Sequence, residues 1–215
     1  MRRKYEEELA DLKTALVQMG ALCEEAISLS LRALEEGDRR LLDRVYAADS
    51  RIDRAQRDIE SQCMRILLLQ QPVARDLRTI SSAMRMISDM ERIGDQASDI
   101  AGIAQYVIER GPIGDDALKK MASEAVSMVT DAIDSFVTDD AALARSVVLH
   151  DDTVDTLFVD IRRELIEALR ADGAEGEYCF DLLMIAKYLE RIGDHAVNIA
   201  GWVEYALTGE YDPDA

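Results

Sequence analysis

Apolar residues recur along the chain at alternating intervals of three and four positions, which is the period of a helix buried along one face. The spacing is 3, 4, 3, 4, 3 through residues 9–26 and 4, 3, 4, 3, 4 through residues 41–59. Gly37 lies between the two stretches, where a glycine commonly ends a helix, and Asp38 can cap the helix that follows. The pattern predicts two long consecutive helices, the second ending near Leu69.

A third helix is predicted from Pro72 to about Glu109, because proline is favoured in the first turn of a helix and excluded from its interior. The expected core-facing stripe of this helix consists of Leu77, Ile80, Met84, Ile87, Glu91 and Gly94. A carboxylate therefore occupies a position where an apolar residue is expected. Residues 111–114, Gly-Pro-Ile-Gly, then break the helix.

The second half of the chain repeats the first. Corresponding residues, such as Met19 and Met121, are 102 positions apart in the first two helices and 99 apart in the third, so the loop at residues 171–176 is shorter. Residues 1–110 form the first predicted repeat and residues 115–215 the second. A tandem three-helix unit predicts an all-α fold of two antiparallel three-helix bundles related by a pseudo-twofold axis.

The clearest repeated motif is Glu-Arg-Ile-Gly-Asp, at residues 91–95 and again at residues 190–194. The twelve-residue segments 91–102 and 190–201, which begin with the two motifs, are identical at nine positions. Residues four apart share one face of a helix, so each motif starts a ladder of polar side chains. The first ladder contains Glu91, Asp95 and Asp99, and the second contains Glu190, Asp194 and Asn198.

Each half also carries an aspartate pair on its second helix, Asp49 with Asp53 and Asp151 with Asp155. Consecutive helices of a bundle are antiparallel neighbours, so each pair can face its ladder. Four or five carboxylates would then converge, and like charges at such range require solvent or a bound cation. Oxygen ligands favour Mg²⁺, Ca²⁺, Mn²⁺ or oxidised iron. The sequence therefore predicts a metal-binding cluster in each half.

A plainer interpretation stays open. Charged residues four apart usually mark a solvated helix face, and a duplication copies such a face whether or not it is used. His195 replaces Gln96 of the first motif, and it is either a ligand suited to a borderline metal ion or a surface histidine. Asn198 replaces Asp99 and lowers the charge of the second cluster, so the two clusters need not be equivalent.

Composition narrows the class of protein. The 215 residues include 43 acidic and 25 basic side chains, a net charge of -18, which repels nucleic acid and suits cations and basic protein surfaces. Aromatic residues make up only 5%, and there are 3 prolines, which is typical of long helices. We see no signal peptide and no apolar run of 18 residues, so we expect a cytoplasmic protein. The cysteines form no C-x-x-C pair, and we expect their thiols to be free.

Familiar catalytic motifs are missing from the sequence. There is no P-loop, no G-x-G-x-x-G and no Ser/His/Asp arrangement. The Glu-x-x-His motif of carboxylate-bridged di-iron bundles is also absent. We therefore expect no catalytic residue and no enzyme activity. A carboxylate-bridged metalloenzyme of the helical-bundle type is the alternative, and a plain helical scaffold with solvated acidic faces is a third possibility.

Three stretches resemble the PhoU family of accessory regulators of phosphate-specific transport. They are the duplicated Glu-Arg-Ile-Gly-Asp, residues 71–78 and residues 188–200, and the resemblance extends over about residues 5–207. It implies the two-bundle fold and multinuclear metal sites on the repeated motif. The implied metal ligands are Asp49, Asp53, Glu91, Asp95 and Asp99 in the first half, and Asp151, Asp155, Glu190, Asp194, His195 and Asn198 in the second.

The resemblance also implies a regulatory function. Such a protein would negatively regulate phosphate uptake and the phosphate-starvation two-component response. Its implied partners are a phosphate-sensing histidine kinase and the ATPase of the phosphate ABC transporter, it would meet the membrane only through them, and a homodimer is the expected assembly. The expected ions are iron, zinc, manganese or magnesium. The second half contains no copy of residues 71–78.

Overall fold

The computed structural model describes residues 2–110, 116–170 and 175–210 of the protein. Regular structure in these ranges is entirely α-helical, which confirms the predicted all-α class. The six helices are α1 (Arg2–Glu36), α2 (Arg40–Gln70), α3 (Arg75–Ile108), α4 (Asp116–Thr138), α5 (Ala141–Arg170) and α6 (Gly176–Thr208). The predicted break at residues 111–114 and most of the loop at residues 171–176 lie outside the described residues.

The apolar stripes of the first two helices form core. Leu12, Leu16 and Met19 of α1 and Val45 and Ile52 of α2 have no exposed surface. Fully burying side chains of this size stabilises a fold by about 1.5–3 kcal/mol each. The observed burial follows the three-four spacing, so amphipathic packing rather than local helix propensity accounts for these long helices.

The turn between α1 and α2 has the predicted chemistry. Gly37 adopts a φ of 64°, in the left-handed region that glycine enters without steric cost. The Arg40 backbone N–H donates to Asp38 Oδ1 at 3.0 Å, so the aspartate satisfies one of the free amides at the start of α2.

The third helix begins three residues later than predicted, at Arg75 instead of Pro72. Proline disfavours the right-handed helical conformation of the residue before it, and Gln71 has a φ of 48° and a ψ of 56°. Ala74 also has a positive φ, of 50°. Pro72 therefore lies in an irregular turn and is not the first residue of the helix.

The six helices form one core in which α2 and α5 are peripheral. Helices α1, α2 and α3 contact one another, and so do α4, α5 and α6. The halves meet through α3 against α6, the most extensive of all the helix pairs, and through α1 against α4. Among the described residues, α2 and α5 contact only helices of their own half.

Because α3 contacts α1, α2 and α6, its buried face is wider than the predicted single stripe. Met86, Met90 and Ile93 are fully buried although they lie outside that stripe. Leu77, predicted to face the core, is 45% exposed, and Glu91 lies at the edge of the buried face with 23% of its side chain exposed.

Polar contacts reinforce the packing between the halves. Lys13 Nζ donates to the Val137 carbonyl oxygen at 2.9 Å and pairs with Asp139 at 3.2 Å. The Thr130 hydroxyl donates to Glu24 Oε1 at 2.8 Å. These pairs join α1 to α4 and to the turn that follows it. None of the described helices is sufficiently long and apolar to cross a membrane.

Candidate functional site

The glycine of each repeated motif lets an aspartate of the neighbouring helix approach the motif backbone. A Cβ atom built on Gly94 would lie 2.8 Å from Asp49 Oδ1 and 2.9 Å from Ile52 Cδ1. A Cβ atom on Gly193 would lie 3.1 Å from Asp151 Oδ1. Separations of this size leave no room for a methyl group without movement of the neighbour. The predicted opposition of aspartate pair and ladder is therefore present at both glycines.

The two approaching aspartates share an uncommon feature. Oδ1 of Asp49 and Oδ1 of Asp151 are buried and accept no hydrogen bond from any described residue. A buried polar atom without a partner is costly, by about 1–3 kcal/mol, and more for a charged group. The aspartate that faces each motif therefore has a carboxylate oxygen that a proton, a water molecule or a cation would satisfy, and Glu8 Oε2 of α1 is a third buried carboxylate oxygen of this kind.

In the first half, the electrostatics show that the pair and the ladder act on each other. Burial raises the pKa of Asp49, the Ser98 hydroxyl lowers it, and the charges of Asp53, Asp95 and Asp99 raise it. Burial also raises the pKa of Glu91, with contributions from Asp95, Asp53 and Asp49 that Arg92 partly offsets. For Asp99, burial and Asp95 raise the pKa.

The second half has the same arrangement. Burial raises the pKa of Asp151 to about 6, and the charges of Asp155, Asp194 and Glu190 contribute. The pKa of Asp194 is raised by burial, Glu190 and Asp155, while Lys187 and His195 lower it. Nine of the eleven predicted ligands, all of them carboxylates, therefore fall into two electrostatically coupled clusters. They are Asp49, Asp53, Glu91, Asp95 and Asp99 in the first, and Asp151, Asp155, Glu190 and Asp194 in the second.

Basic side chains offset part of each cluster's charge. Arg92 pairs with Asp95 at 2.9 Å and with Glu91 at 3.4 Å. Lys187 pairs with Glu190 and lies 5.4 Å from the centre of the Phe158 ring, so it neutralises the second ladder from its own helix. Lys187 lies three residues before the motif, and no repeat or spacing in the sequence marks it.

Chemically, each cluster offers carboxylate oxygens alone, which is the donor set that hard cations prefer. The described part of the chain nevertheless contains no group of three or more His, Cys, Asp or Glu side chains arranged to hold a metal ion. The ion pairs of Arg92 and Lys187 direct Asp95 and Glu190 toward basic groups. Metal ligation by these clusters stays a prediction.

His195 and Asn198 lie in a different contact from the one predicted. His195 Nδ1 donates to Asp89 Oδ1 at 3.0 Å, and Asn198 Nδ2 donates to the same oxygen at 3.2 Å. Asp89 belongs to α3, so these bonds join the two halves. Metal ligation by His195 and Asn198 stays a prediction. In the structure, both residues lie at the interface between the halves.

The glycine contact can be tested by adding one methyl group. We expect Gly94→Ala to lower the free energy of unfolding by about 1–3 kcal/mol, because the new Cβ must displace Asp49 or Ile52. In the same helix, the nearest atom to a Cβ on Gly102 is Tyr46 Oη at 3.9 Å. Gly102→Ala should therefore raise stability by about 0.5–1 kcal/mol through helix propensity. Urea unfolding measures both, and equal effects would contradict the contact.

The half-buried Asp151 predicts a pH dependence. Its pKa is higher in the folded protein than in the unfolded chain, so the folded state binds the proton more tightly and loses stability as pH rises from the ordinary value of 3.8 to about 6. In metal-free buffer, the stability advantage of Asp151→Asn over the wild type should grow between about pH 4.5 and about pH 7. Parallel pH profiles of melting temperature would refute the assignment.

Comparison with known proteins agrees with this architecture. The chain matches the family model of the PhoU domain twice, over residues 16–104 and residues 118–203. A Pseudomonas aeruginosa protein named phosphate-specific transport system accessory protein PhoU homolog is 37% identical over 209 residues, or 96% of this chain and 86% of the relative. A Clostridium acetobutylicum protein of the same name is 33% identical over 97% of this chain and 96% of the relative.

Solved structures give the same result. The crystal structure of PhoU from Pseudomonas aeruginosa superposes with a TM-score of 0.89 at 37% identity, covering 96% of this chain and 100% of that one. The phosphate transport system regulatory protein PhoU from Streptococcus pneumoniae superposes with a TM-score of 0.89 at 29% identity, covering 97% and 99%. The chain therefore belongs to the PhoU domain family, as its repeated motif indicated.

Proposed function

We propose that this protein is a cytoplasmic accessory regulator of phosphate transport. It restrains phosphate uptake and dampens the phosphate-starvation two-component response when phosphate is plentiful. The proposal is supported by relatives that match nearly the whole chain and are named accessory proteins of the phosphate-specific transport system. Regulation by docking needs no catalytic nucleophile, and none is assigned to this protein.

The partners that we propose are the phosphate-sensing histidine kinase and the ATPase of the phosphate ABC transporter. A net charge of -18 favours encounters with basic protein surfaces and raises the rate of association with them. A homodimer is the proposed assembly. Contact with the membrane is indirect, through these partners.

We further propose that each carboxylate cluster binds metal cations. The observation that carries this proposal is the buried, unpartnered Oδ1 atom of Asp49 and of Asp151, each facing the ladder of its own half. Iron, manganese and magnesium suit a ligand set made of oxygens, and zinc is the borderline candidate if His195 contributes. A bound cation would neutralise carboxylates from two helices and so link α2 to α3, or α5 to α6.

No structural observation favours the metalloenzyme alternative. The hydrogen bonds of both histidines go to carboxylates outside the clusters, from His150 to Glu124 at 2.7 Å and from His195 to Asp89 at 3.0 Å. The scaffold alternative explains the exposed carboxylates but gives no role to the two buried oxygens. The regulatory adaptor is therefore the function that we favour.

A genetic complementation experiment tests function and clusters together. In a strain that lacks this protein, we expect a phosphate-starvation reporter to stay active at high phosphate. The wild type should silence it, and Asp49→Asn/Asp151→Asn should not, because that variant removes the carboxylate that faces each ladder. The control Asp43→Asn/Glu167→Gln makes the same charge change at exposed positions of α2 and α5 and should silence the reporter.

The outcomes separate the two parts of the proposal. A reporter that is silent in the deletion strain would refute the regulatory function. If Asp49→Asn/Asp151→Asn is as abundant as the wild type and silences the reporter fully, regulation does not need the clusters.

A further inference from the structure

The connection between α2 and α3 exposes a cluster of large apolar side chains. We call residues 64–78 the α2–α3 tip. Its exposed apolar residues are Met64 at 45%, Leu68 at 72%, Leu69 at 61%, Val73 at 74% and Leu77 at 45%. Apolar residues at this density on a surface commonly mark a site of interaction.

The repeat shows that the fold does not require these exposed residues. The same connection in the second half has no counterpart of residues 71–78. At the offset of 102, Leu68 corresponds to Arg170 and Leu69 corresponds to Ala171. Two three-helix units of one ancestry therefore differ at this connection. The described residues around the second connection expose Ile166, Leu169 and Phe180, at 42%, 48% and 61%, but carry no counterpart of the exposed Leu68 and Leu69.

The backbone of the tip is strained. Gln71 and Ala74 have φ values of 48° and 50°, which residues with a side chain rarely adopt, and the ψ of Ala74 is -118°. Each such residue costs about 1–3 kcal/mol, and strain of this kind is concentrated at functional sites. No side chain caps the start of α3 with a hydrogen bond. Pro72 and Val73 lie between these two residues, outside any helix, and Val73 is 74% exposed.

The tip also has an unusual charge for this protein. It contains three arginines, Arg65, Arg75 and Arg78, against one acidic residue, Asp76, in a chain with a net charge of -18. Within the described residues, Arg65 has no ion pair. The pair of Arg75 with Asp139 is 3.8 Å long, and both side chains are at least half exposed, so it is weak. The tip is therefore a basic, apolar projection on an acidic molecule.

A groove beside the tip could receive a side chain from a binding partner. A cavity of about 600 Å³ lies between the start of α1 and the turn, and Tyr5, Leu9, Pro72 and Val73 help to line it. Glu6, Gln70, Gln71 and Asp76 line the rest of the cavity, so it offers polar and acidic groups beside a smaller apolar wall.

We propose that the α2–α3 tip is the docking element for a protein partner whose contact surface is apolar at its centre and carries carboxylates at its rim. The apolar side chains would supply binding energy, and Arg65 and Arg75 would select an acidic rim and speed the encounter. This assignment rests on the proposed function, because the partner is the kinase or the transporter ATPase. The net charge of -18 would act on basic surfaces elsewhere on the same partner, and the arginines of the tip would act locally at the contact.

The test measures the binding of purified protein to the transporter ATPase subunit and to the cytoplasmic region of the sensor kinase, both from the same genome. We expect Leu68→Asp and Val73→Asp to weaken binding to at least one partner by roughly tenfold or more, because each places a charge at an apolar contact. The matched control is Leu149→Asp on α5, since Leu149 is 73% exposed outside the tip. It should bind within about twofold of the wild type.

Arg65→Glu should lower the association rate and weaken its dependence on salt. If the wild type binds, and Leu68→Asp and Val73→Asp bind equally well, the docking assignment is overturned while the proposed partners stand. Failure of the wild type to bind either protein would refute the proposed partners and the assignment with them. The protein should not bind vesicles of phosphatidylserine and phosphatidylcholine. Vesicle binding that is lost in Leu68→Asp would overturn the docking assignment, because the tip would then bind a lipid surface.

Discussion

The close approach of an aspartate on one helix to a glycine on the next is the contact on which the site depends. Asp49 reaches the backbone of α3 only because Gly94 has no side chain, and Asp151 reaches α6 beside Gly193 for the same reason. The surrounding helices hold this approach in place, since Ile93 and Ile192, which precede the two glycines, are fully buried. The same residues therefore serve helix packing and the electrostatics of the clusters.

This contact creates an electrostatic problem in each half. Burial and neighbouring carboxylates raise the pKa of Asp49 and Asp151, so the folded protein gains stability from a proton or from a cation at these positions. Arg92 and Lys187 offset charge on the ladders, but the buried Oδ1 atoms have no partner among the described residues. A metal ion shared by two helices would satisfy these oxygens and stiffen the packing of α2 against α3 and of α5 against α6.

Most of the fold and the two clusters could be predicted from the sequence, because they follow from local period and repetition. The three-four spacing predicted the helices, and the antiparallel packing of consecutive helices placed Asp49 opposite the first motif and Asp151 opposite the second. Contacts that depend on how the halves cross were not predictable: Asp89 accepts hydrogen bonds from His195 and Asn198, and no pattern relates residues 106 and 109 positions apart. The start of α3 was predicted wrongly because proline's preference for a first turn was weighed above its effect on Gln71.

Anomalous diffraction from crystals of the protein soaked in Mn²⁺ tests the central claim most directly. If the clusters are metal sites, anomalous peaks should lie between α2 and α3 beside Asp49 and between α5 and α6 beside Asp151. The peaks should disappear in Asp49→Asn/Asp151→Asn and persist in Asp43→Asn/Glu167→Gln. Crystals at saturating Mn²⁺ with no peak in either cluster would contradict the claim.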